Sequence, residues 1–318
     1  MMNDTIYDIL IIGGGPAGLT AGIYSSRARM KTILLEKMIP GGQMLTADLI
    51  ENFPGFPRGA KGPELADMML KQAKAFGLEI AARDVKKITL KKNESDPFVI
   101  ETAEGDTFKA LSIIIAAGAN WNALGVPGED KLRGRGVSYC ATCDGPLFKN
   151  RNIVVVGGGD TALGEAIFLT RFAGKVTVVH RRDKLRATRI IQERAFSNKK
   201  IEFCLESVVT EIIGNNKVEG IKVKNVSTNK EKPIKTDGVF VLIGLLPNSS
   251  IFKGMLKLDE KGYIESDEDM RTSTDGIFVC GDVRKKPLRQ VVTAAGEGAT
   301  AAVSAGHYVE HLKGTEYK

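Results

Sequence analysis

Residues 9–18 read Ile-Leu-Ile-Ile-Gly-Gly-Gly-Pro-Ala-Gly, and residues 153–162 read Ile-Val-Val-Val-Gly-Gly-Gly-Asp-Thr-Ala. Each is an apolar strand running into a glycine turn. Each is followed by a helical stretch and a second apolar strand, Thr32-Ile-Leu-Leu35 in one case and Val176-Thr-Val-Val179 in the other. That order is a βαβ unit, whose right-handed crossover leaves the glycine turn at the carboxyl end of the first strand, where dinucleotides bind. The register repeats too: Glu36 stands 23 positions after Gly13, and His180 stands 23 positions after Gly157. The chain is therefore read as α/β, with two Rossmann-like nucleotide-binding domains of the three-layer ββα type.

Working outward, Pro97-Phe-Val-Ile-Glu101 and Thr107-Phe-Lys-Ala110 read as a hairpin, and Ser112-Ile-Ile-Ile115 as a buried strand ending at Ala116-Ala-Gly118. Gly238-Val-Phe-Val-Leu-Ile243 closes the second unit in the same way. Gly276-Ile-Phe-Val279, with a small-residue helix from about Val291, has no place in that unit and reads as the chain returning to the first. The second domain is thus expected as an insertion: residues 1–121 and 248–318 form the first domain, and 122–247 the second. Gly, Pro or Asn at the crossings, near 120–124 and 244–249, suit a hinge.

Composition narrows the classes. With 318 residues, 43% hydrophobic and 26% charged, the chain reads as an ordinary globular protein of about two domains. No apolar run approaches the ~18 residues of a membrane span, and the start carries Asp4 and Asp8 instead of a basic leader, so a cytoplasmic protein is expected. The net charge of +7 comes without a long basic run or an aromatic-rich RNA signature, so nucleic acid is not expected as a partner. Of four cysteines, Cys204 and Cys280 are single in apolar surroundings, whereas Cys140 and Cys143 are paired.

The chemistry follows from these segments. In the first loop Gly13, Gly15 and Gly18, with Pro16 and Ala17, allow a tight turn and close approach of a pyrophosphate to a helix N-terminus, and Glu36 can accept ribose hydroxyls. In the second loop Gly157, Gly159, Asp160, Thr161 and Ala162 repeat the turn, but no acid ends the following strand. His180-Arg181-Arg182 stands there, with Arg186 beyond, and guanidinium forks suit a ribose phosphate, which points to NADPH. Gly281-Asp282-Val283 and the helix from about Gln290 and Val291 suit a flavin. Between the loops lies Cys140-Ala-Thr-Cys143-Asp144. A C-x-x-C at a helix start favours a thiolate, and Asp144 can protonate a leaving sulfur. Zinc would want a further Cys or His pair nearby, and none is present. Cys143 is read as the sulfur that meets flavin and substrate, with Cys140 resolving.

With Gly41-Gly-Gln43, Glu51-Asn-Phe-Pro-Gly55, Cys140-Ala-Thr-Cys-Asp-Gly145, His180-Arg-Arg182 and Arg289-Gln290, the chain resembles the low-molecular-weight thioredoxin reductases over essentially its whole length. The resemblance implies a homodimer with non-covalent FAD, NADPH as donor, oxidised thioredoxin as substrate, and an inserted domain that turns during the cycle. It places Glu36, Gly42, Gln43, Asn52, Asp282, Arg289, Gln290 and Val291 on FAD, with Lys37, Gly41, Val85, Gly118, Gly281 and Val283 on the same side. His180, Arg181, Arg182 and Arg186 fall on the NADPH phosphate, and Arg135 and Pro146-Leu-Phe148 where thioredoxin docks. Ala116-Ala-Gly118 departs from the usual Ala-Thr-Gly, and Pro146-Leu147 from the aromatics some members carry. The readings kept alongside are reduction of another disulfide (a peroxiredoxin-type partner or a small molecule) and a non-catalytic redox-sensing flavoprotein.

Overall fold

The computed structural model describes residues 2–47 and 49–315. From the amino end the chain forms β1 (Met2–Ile12), α1 (Pro16–Arg27), β2 (Thr32–Glu36), α2 (Gly62–Ala75), β3 (Glu79–Ala82), β4 (Val85–Thr89), β5 (Phe98–Thr102), β6 (Thr107–Ile115) and β7 (Ala119–Trp121). It continues through β8 (Val137–Ser138), α3 (Ala141–Asp144), β9 (Asn152–Val156), α4 (Asp160–Leu169), β10 (Lys175–Val179), α5 (Arg189–Ser197) and β11 (Ile201–Cys204). Next come β12 (Ser207–Ile213), β13 (Gly220–Asn225), β14 (Glu231–Lys235), β15 (Gly238–Val241), β16 (Leu245–Pro247), β17 (Ile277–Val279) and α6 (Val291–Lys313).

The chain divides into two compact units. One holds the residues up to Asn120 and those from Leu246 on; the other is Trp121–Leu245. The first unit is built on a sheet of order β3-β2-β1-β6-β5-β4. β6 serves two partners: β5 runs antiparallel to its first part, Phe98 opposite Ala110, while β17 pairs in parallel with Ile113, Ile114 and Ile115. The pairing of β17 brings the carboxyl-terminal segment back to the first sheet. Period-two alternation decides which residue faces where. Ile9 and Ile11 pack with α1, α2 and α6, whereas Leu10 and Ile12 pack on the opposite face with Phe98, Phe108 and Phe252.

The second unit repeats the plan. Its parallel sheet runs β11-β10-β9-β15-β8, and β12-β13-β14 form a separate antiparallel sheet. Ile153 and Val155 pack with Ala162, Leu163 and Ala166 of α4, while Val154 and Val156 pack with Ile212, Ile221 and Val223. Helices thus cover one face of each parallel sheet; a separate antiparallel sheet covers the other face in the second unit, whereas β5 and β4 extend the first sheet itself, and the whole is a two-domain Rossmann-type fold with the second unit inserted into the first. The two crossings, β7 and β16, pair with each other as a short ribbon.

Candidate active site: two glycine loops and a dithiol

The first loop begins where β1 ends. Gly13 has φ +104°, and a Cβ there would collide with the Ala116 carbonyl, so only glycine makes this turn. Glu36 closes the loop from the side, its carboxylate accepting the N–H groups of Gly14 (2.7 Å) and Met38 (3.0 Å). Gly15 is left open: a Cβ there would find nothing nearer than Gly42 Cα at 4.0 Å, and no side chain caps the start of α1. Helix N–H groups facing a glycine-walled space are what a pyrophosphate needs.

The returning segment closes on the same loop. A Cβ at Gly281 would sit 2.9 Å from Ala17 Cβ, and one at Gly298 would collide with the Ala17 carbonyl. Asn52 Nδ2 donates to Gln290 Oε1 (2.9 Å) across 238 positions of sequence, and Gln290 and Thr293 cap α6 reciprocally, just ahead of Val291. Gln43 Nε2 donates to the Ala119 carbonyl. Asp282 Oδ1 is buried beside Lys286 Nζ (3.1 Å) yet accepts no aligned hydrogen bond, an acceptor suited to a hydroxyl-bearing ligand. Lys286 also pairs with Glu297 (3.2 Å), whose carboxylate accepts the Gly281 N–H (2.8 Å).

The remaining residues expected on the FAD side are held in other ways. The Val85 side chain belongs to the core, so only its backbone is available, and Val283 is fully buried. Lys37 is exposed. Arg289 directs three donors to the carbonyls of Asp282, Arg284 and Lys286 (3.3 Å each) and lies 4.0 Å from the Tyr263 ring centroid, stapling the segment before α6. Gly118, at φ +68°, accepts the Asn248 N–H (3.0 Å).

The second loop has the same frame. Gly157 takes φ +153° against the Leu242 carbonyl, Ala162 is buried at the start of α4, and Gly159 has nothing within 4 Å of a Cβ and no side-chain cap above it. Behind Gly158 lies the His180 ring, which a Cβ on that glycine would strike. His180 is 6% exposed; burial lowers its pKa, with Arg186, Arg181 and Arg182 acting in the same direction and a hydrogen bond to the Lys184 backbone opposing. The sequence grouped His180 with the arginines as one phosphate-facing set. The structure separates them, with His180 buried beneath the loop and Arg181, Arg182 and Arg186 exposed. The basic segment folds back on the turn. The Gly158 carbonyl accepts the N–H groups of Arg186 (2.7 Å) and Ala187 (3.1 Å), and the Asp160 carboxylate accepts that of Thr188 (2.7 Å). Thr161 is exposed next to Asp160.

The dithiol precedes this loop in the same unit. Cys140 and Cys143 form a disulfide with Cα atoms 5.3 Å apart. Cys140 is the N-cap of α3, and its Sγ accepts the Cys143 N–H (3.2 Å) and lies 3.3 Å from Thr142 Oγ1. Donors so placed favour negative charge on Cys140 sulfur. Asp144 is half-buried and ends α3, its N–H donating to the Cys140 carbonyl (3.2 Å). Among the described residues no group of three or more His, Cys, Asp or Glu stands together as metal ligands.

The profile of the pyridine nucleotide-disulphide oxidoreductases matches residues 7–298. The chain belongs to that family, in its thioredoxin reductase branch. It is 49% identical over 316 residues to the thioredoxin reductase of Bacillus subtilis strain 168, covering 99% of this chain and 98% of the relative. It is 50% identical over 311 residues to that of Listeria monocytogenes, covering 98% and 96%. The crystal structure of thioredoxin reductase from Streptococcus pyogenes MGAS5005 superposes with a TM-score of 0.92 at 45% identity, covering 97% of this chain and all of that one. The family is FAD-dependent with NADPH as reductant, and the glycine loops, the open Gly15 and Gly159 and the buried Asp282 acceptor fit nucleotides of that kind.

Two features of this family member escaped the sequence. Glu165 on α4 accepts the Ala141 N–H (3.2 Å), directly behind the redox turn, and burial raises its pKa against that bond. Its signal was present: Glu165 stands three positions after Ala162 and four before Leu169, on the buried stripe of an apolar helix. The second is the orientation of Phe148: in the segment where the resemblance expects thioredoxin to dock, Leu147 and Arg135 are exposed but Phe148 turns inward, edge-on to Phe240 at 5.2 Å.

Proposed function

We propose that the protein is an NADPH-dependent thioredoxin-disulfide reductase carrying FAD in the first unit and NADPH in the second. The observation that carries this reading is the Cys140–Cys143 disulfide at the head of α3, in the unit whose own nucleotide loop opens at Gly157. When bound, NADPH supplies hydride and FAD a two-electron carrier. Gly13, Gly15, Glu36 and Asp282 would hold FAD. Gly157, Gly159 and the backbone N–H of Asp160 would hold the NADPH pyrophosphate, and Arg181, Arg182 and Arg186 its ribose phosphate.

The protein's own sulfur chemistry follows from the turn. The disulfide takes up two electrons and two protons and opens to a dithiol. Cys143, as thiolate, attacks one sulfur of the substrate disulfide; a mixed disulfide forms and the other substrate sulfur leaves as thiolate. Cys140 then attacks Cys143 Sγ, restoring the internal bond and releasing the substrate as a dithiol. The donors around Cys140 Sγ stabilise that sulfur whenever it carries charge, and Asp144 exchanges the proton. The reading extends to a homodimer in the cytoplasm that engages neither membrane nor nucleic acid. No helix among the described residues is long and apolar enough to cross a membrane.

The test is anaerobic. NADPH should bleach the bound flavin, and thioredoxin should restore its colour with turnover. Cys140→Ser should trap a covalent complex with a thioredoxin lacking its resolving cysteine, and Cys143→Ser should not. Bleaching without turnover on any thioredoxin, but with turnover on a small disulfide, would assign a different acceptor.

A further inference from the structure

A side-chain cluster beside the dithiol takes part in neither nucleotide binding nor sulfur exchange as described above. Tyr139 directly precedes Cys140. Its hydroxyl donates to Glu129 Oε1 (2.8 Å), its ring stacks on Trp121 with centroids 5.4 Å and planes 26° apart, and the Arg133 guanidinium lies 5.1 Å from the ring centroid. Glu129 is 2% exposed and also accepts the N–H groups of Leu124 (2.9 Å) and Gly125 (2.7 Å). Those two residues belong to segment 121–125, by which the chain enters the second unit. One buried carboxylate thus ties the lead-in segment to the residue before the first redox cysteine. A carboxylate so buried persists only because its lone pairs are used, which makes the tie costly to break. Burial, reinforced by Glu129, holds the Tyr139 hydroxyl up to about 12, so it remains a donor throughout the neutral range.

The neighbouring contacts divide the two sulfurs. The Cys140 N–H donates to Ser138 Oγ (3.1 Å), and Ser138 is buried in β8. On the other side Ala141 is fully buried, and its N–H is taken by Glu165. Cys140 is therefore held on both flanks. Cys143 lies within the four-residue α3, and its N–H donates to Cys140 Sγ, a bond between the two redox residues themselves.

We propose that Glu129 and Tyr139 are positioning residues of the dithiol: they fasten Cys140 to segment 121–125 and so keep its sulfur in place when the disulfide opens. The proposal rests on the reductase reading and deepens it, because it gives the resolving cysteine a fixed place. It involves no new bond-making step. What it fixes is how accessible the Cys140 thiol is after the S–S bond has been reduced.

The test needs neither NADPH nor thioredoxin, so its failure is distinct from failure of the reductase reading. The flavin-loaded protein is opened with dithiothreitol, freed of it anaerobically, and pulsed with iodoacetamide; alkylation at Cys140 and Cys143 is followed by peptide mass spectrometry. In the wild type Cys143 should react much faster than Cys140. Glu129→Gln should raise the Cys140 rate by about tenfold, the factor that a lost charge-assisted hydrogen bond supports, and leave Cys143 unchanged. Tyr139→Phe, which keeps the ring stack and loses only the hydroxyl, should act in the same direction and less strongly. An unchanged Cys140 rate in both variants would overturn the proposal. So would an equal acceleration of both cysteines, which is what general loosening of the unit would produce.

Discussion

At the end of β2 the first glycine loop is closed by Glu36, whose carboxylate accepts the Gly14 N–H at 2.7 Å; at the end of β10 the second is closed by His180, whose ring lies against Gly158. The two residues hold the same register and the same place behind the middle glycine. Around them the backbone plan is shared, with a positive-φ glycine first and an open glycine last in each loop. The difference is charge. The first loop ends in an acceptor that suits ribose hydroxyls and repels a phosphate there. The second ends in a histidine whose pKa burial lowers, with three arginines exposed beyond it. In the proposed function one architecture serves two nucleotides, and the residues at and just beyond the end of the second strand would decide between them.

The largest break in this comparison should come from the arginines. Replacing Arg181 and Arg182 by alanine should lower kcat/KM for NADPH by about 10²–10⁴-fold, as expected for two charge-assisted hydrogen bonds at about 1.5–3 kcal/mol each. NADH, lacking the phosphate, should change little. An equal loss with both cofactors would assign these arginines to the pyrophosphate.

Glu36→Ala should come next. Loss of the ribose acceptor should weaken FAD binding by about 10–100-fold, read by titrating the apoprotein, while affinity for NADPH stays unchanged. Loss of both affinities together would mean that Glu36 supports the fold as a whole.

Asp160→Ala probes the strap that holds the basic segment to the second loop through Thr188 (2.7 Å). Because that contact is exposed, its removal should weaken binding of 2′,5′-ADP by only about threefold to tenfold, with 5′-AMP affected less. Calorimetry on both ligands separates the two terms, and an equal change in both would place Asp160 at the pyrophosphate alone.

The smallest effect concerns pH. Folded His180 binds a proton less readily than unfolded His180, because burial lowers its pKa. Its contribution is complete above the ordinary histidine value of about 6.5 and is lost as pH falls below it. Denaturant midpoints should drop with acidification in the wild type more steeply than in His180→Gln. Parallel slopes would show that the ring is accessible to protons in the folded state.

Much of this is legible in the amino-acid sequence. The βαβ units, the hairpin leading into β6 and the return of β17 all follow from apolar runs, glycine turns and their order, because period and punctuation are local signals. Cys140, Cys143 and the arginines stood out because unusual residues occupied informative positions. What stayed hidden depends on contacts far apart in sequence. No local pattern reports that Glu129 serves Leu124, Gly125 and Tyr139 together, or that His180 turns under its loop while its neighbours face outward. Arg289 shows the reverse case: position suggests a ligand contact, yet three of its donors go to carbonyls of its own segment.

In the proposed function the first loop's nucleotide and the Cys140–Cys143 pair are successive stations for electrons that enter at the second loop. An anaerobic titration with NADPH, followed by flavin absorbance and thiol counting, tests it most directly. The wild type should need about two equivalents per flavin, one for the disulfide and one for the flavin, and should gain two thiols. Cys143→Ser should need about one and gain none. Full bleaching of the wild type at one equivalent, with the disulfide intact, would contradict the account.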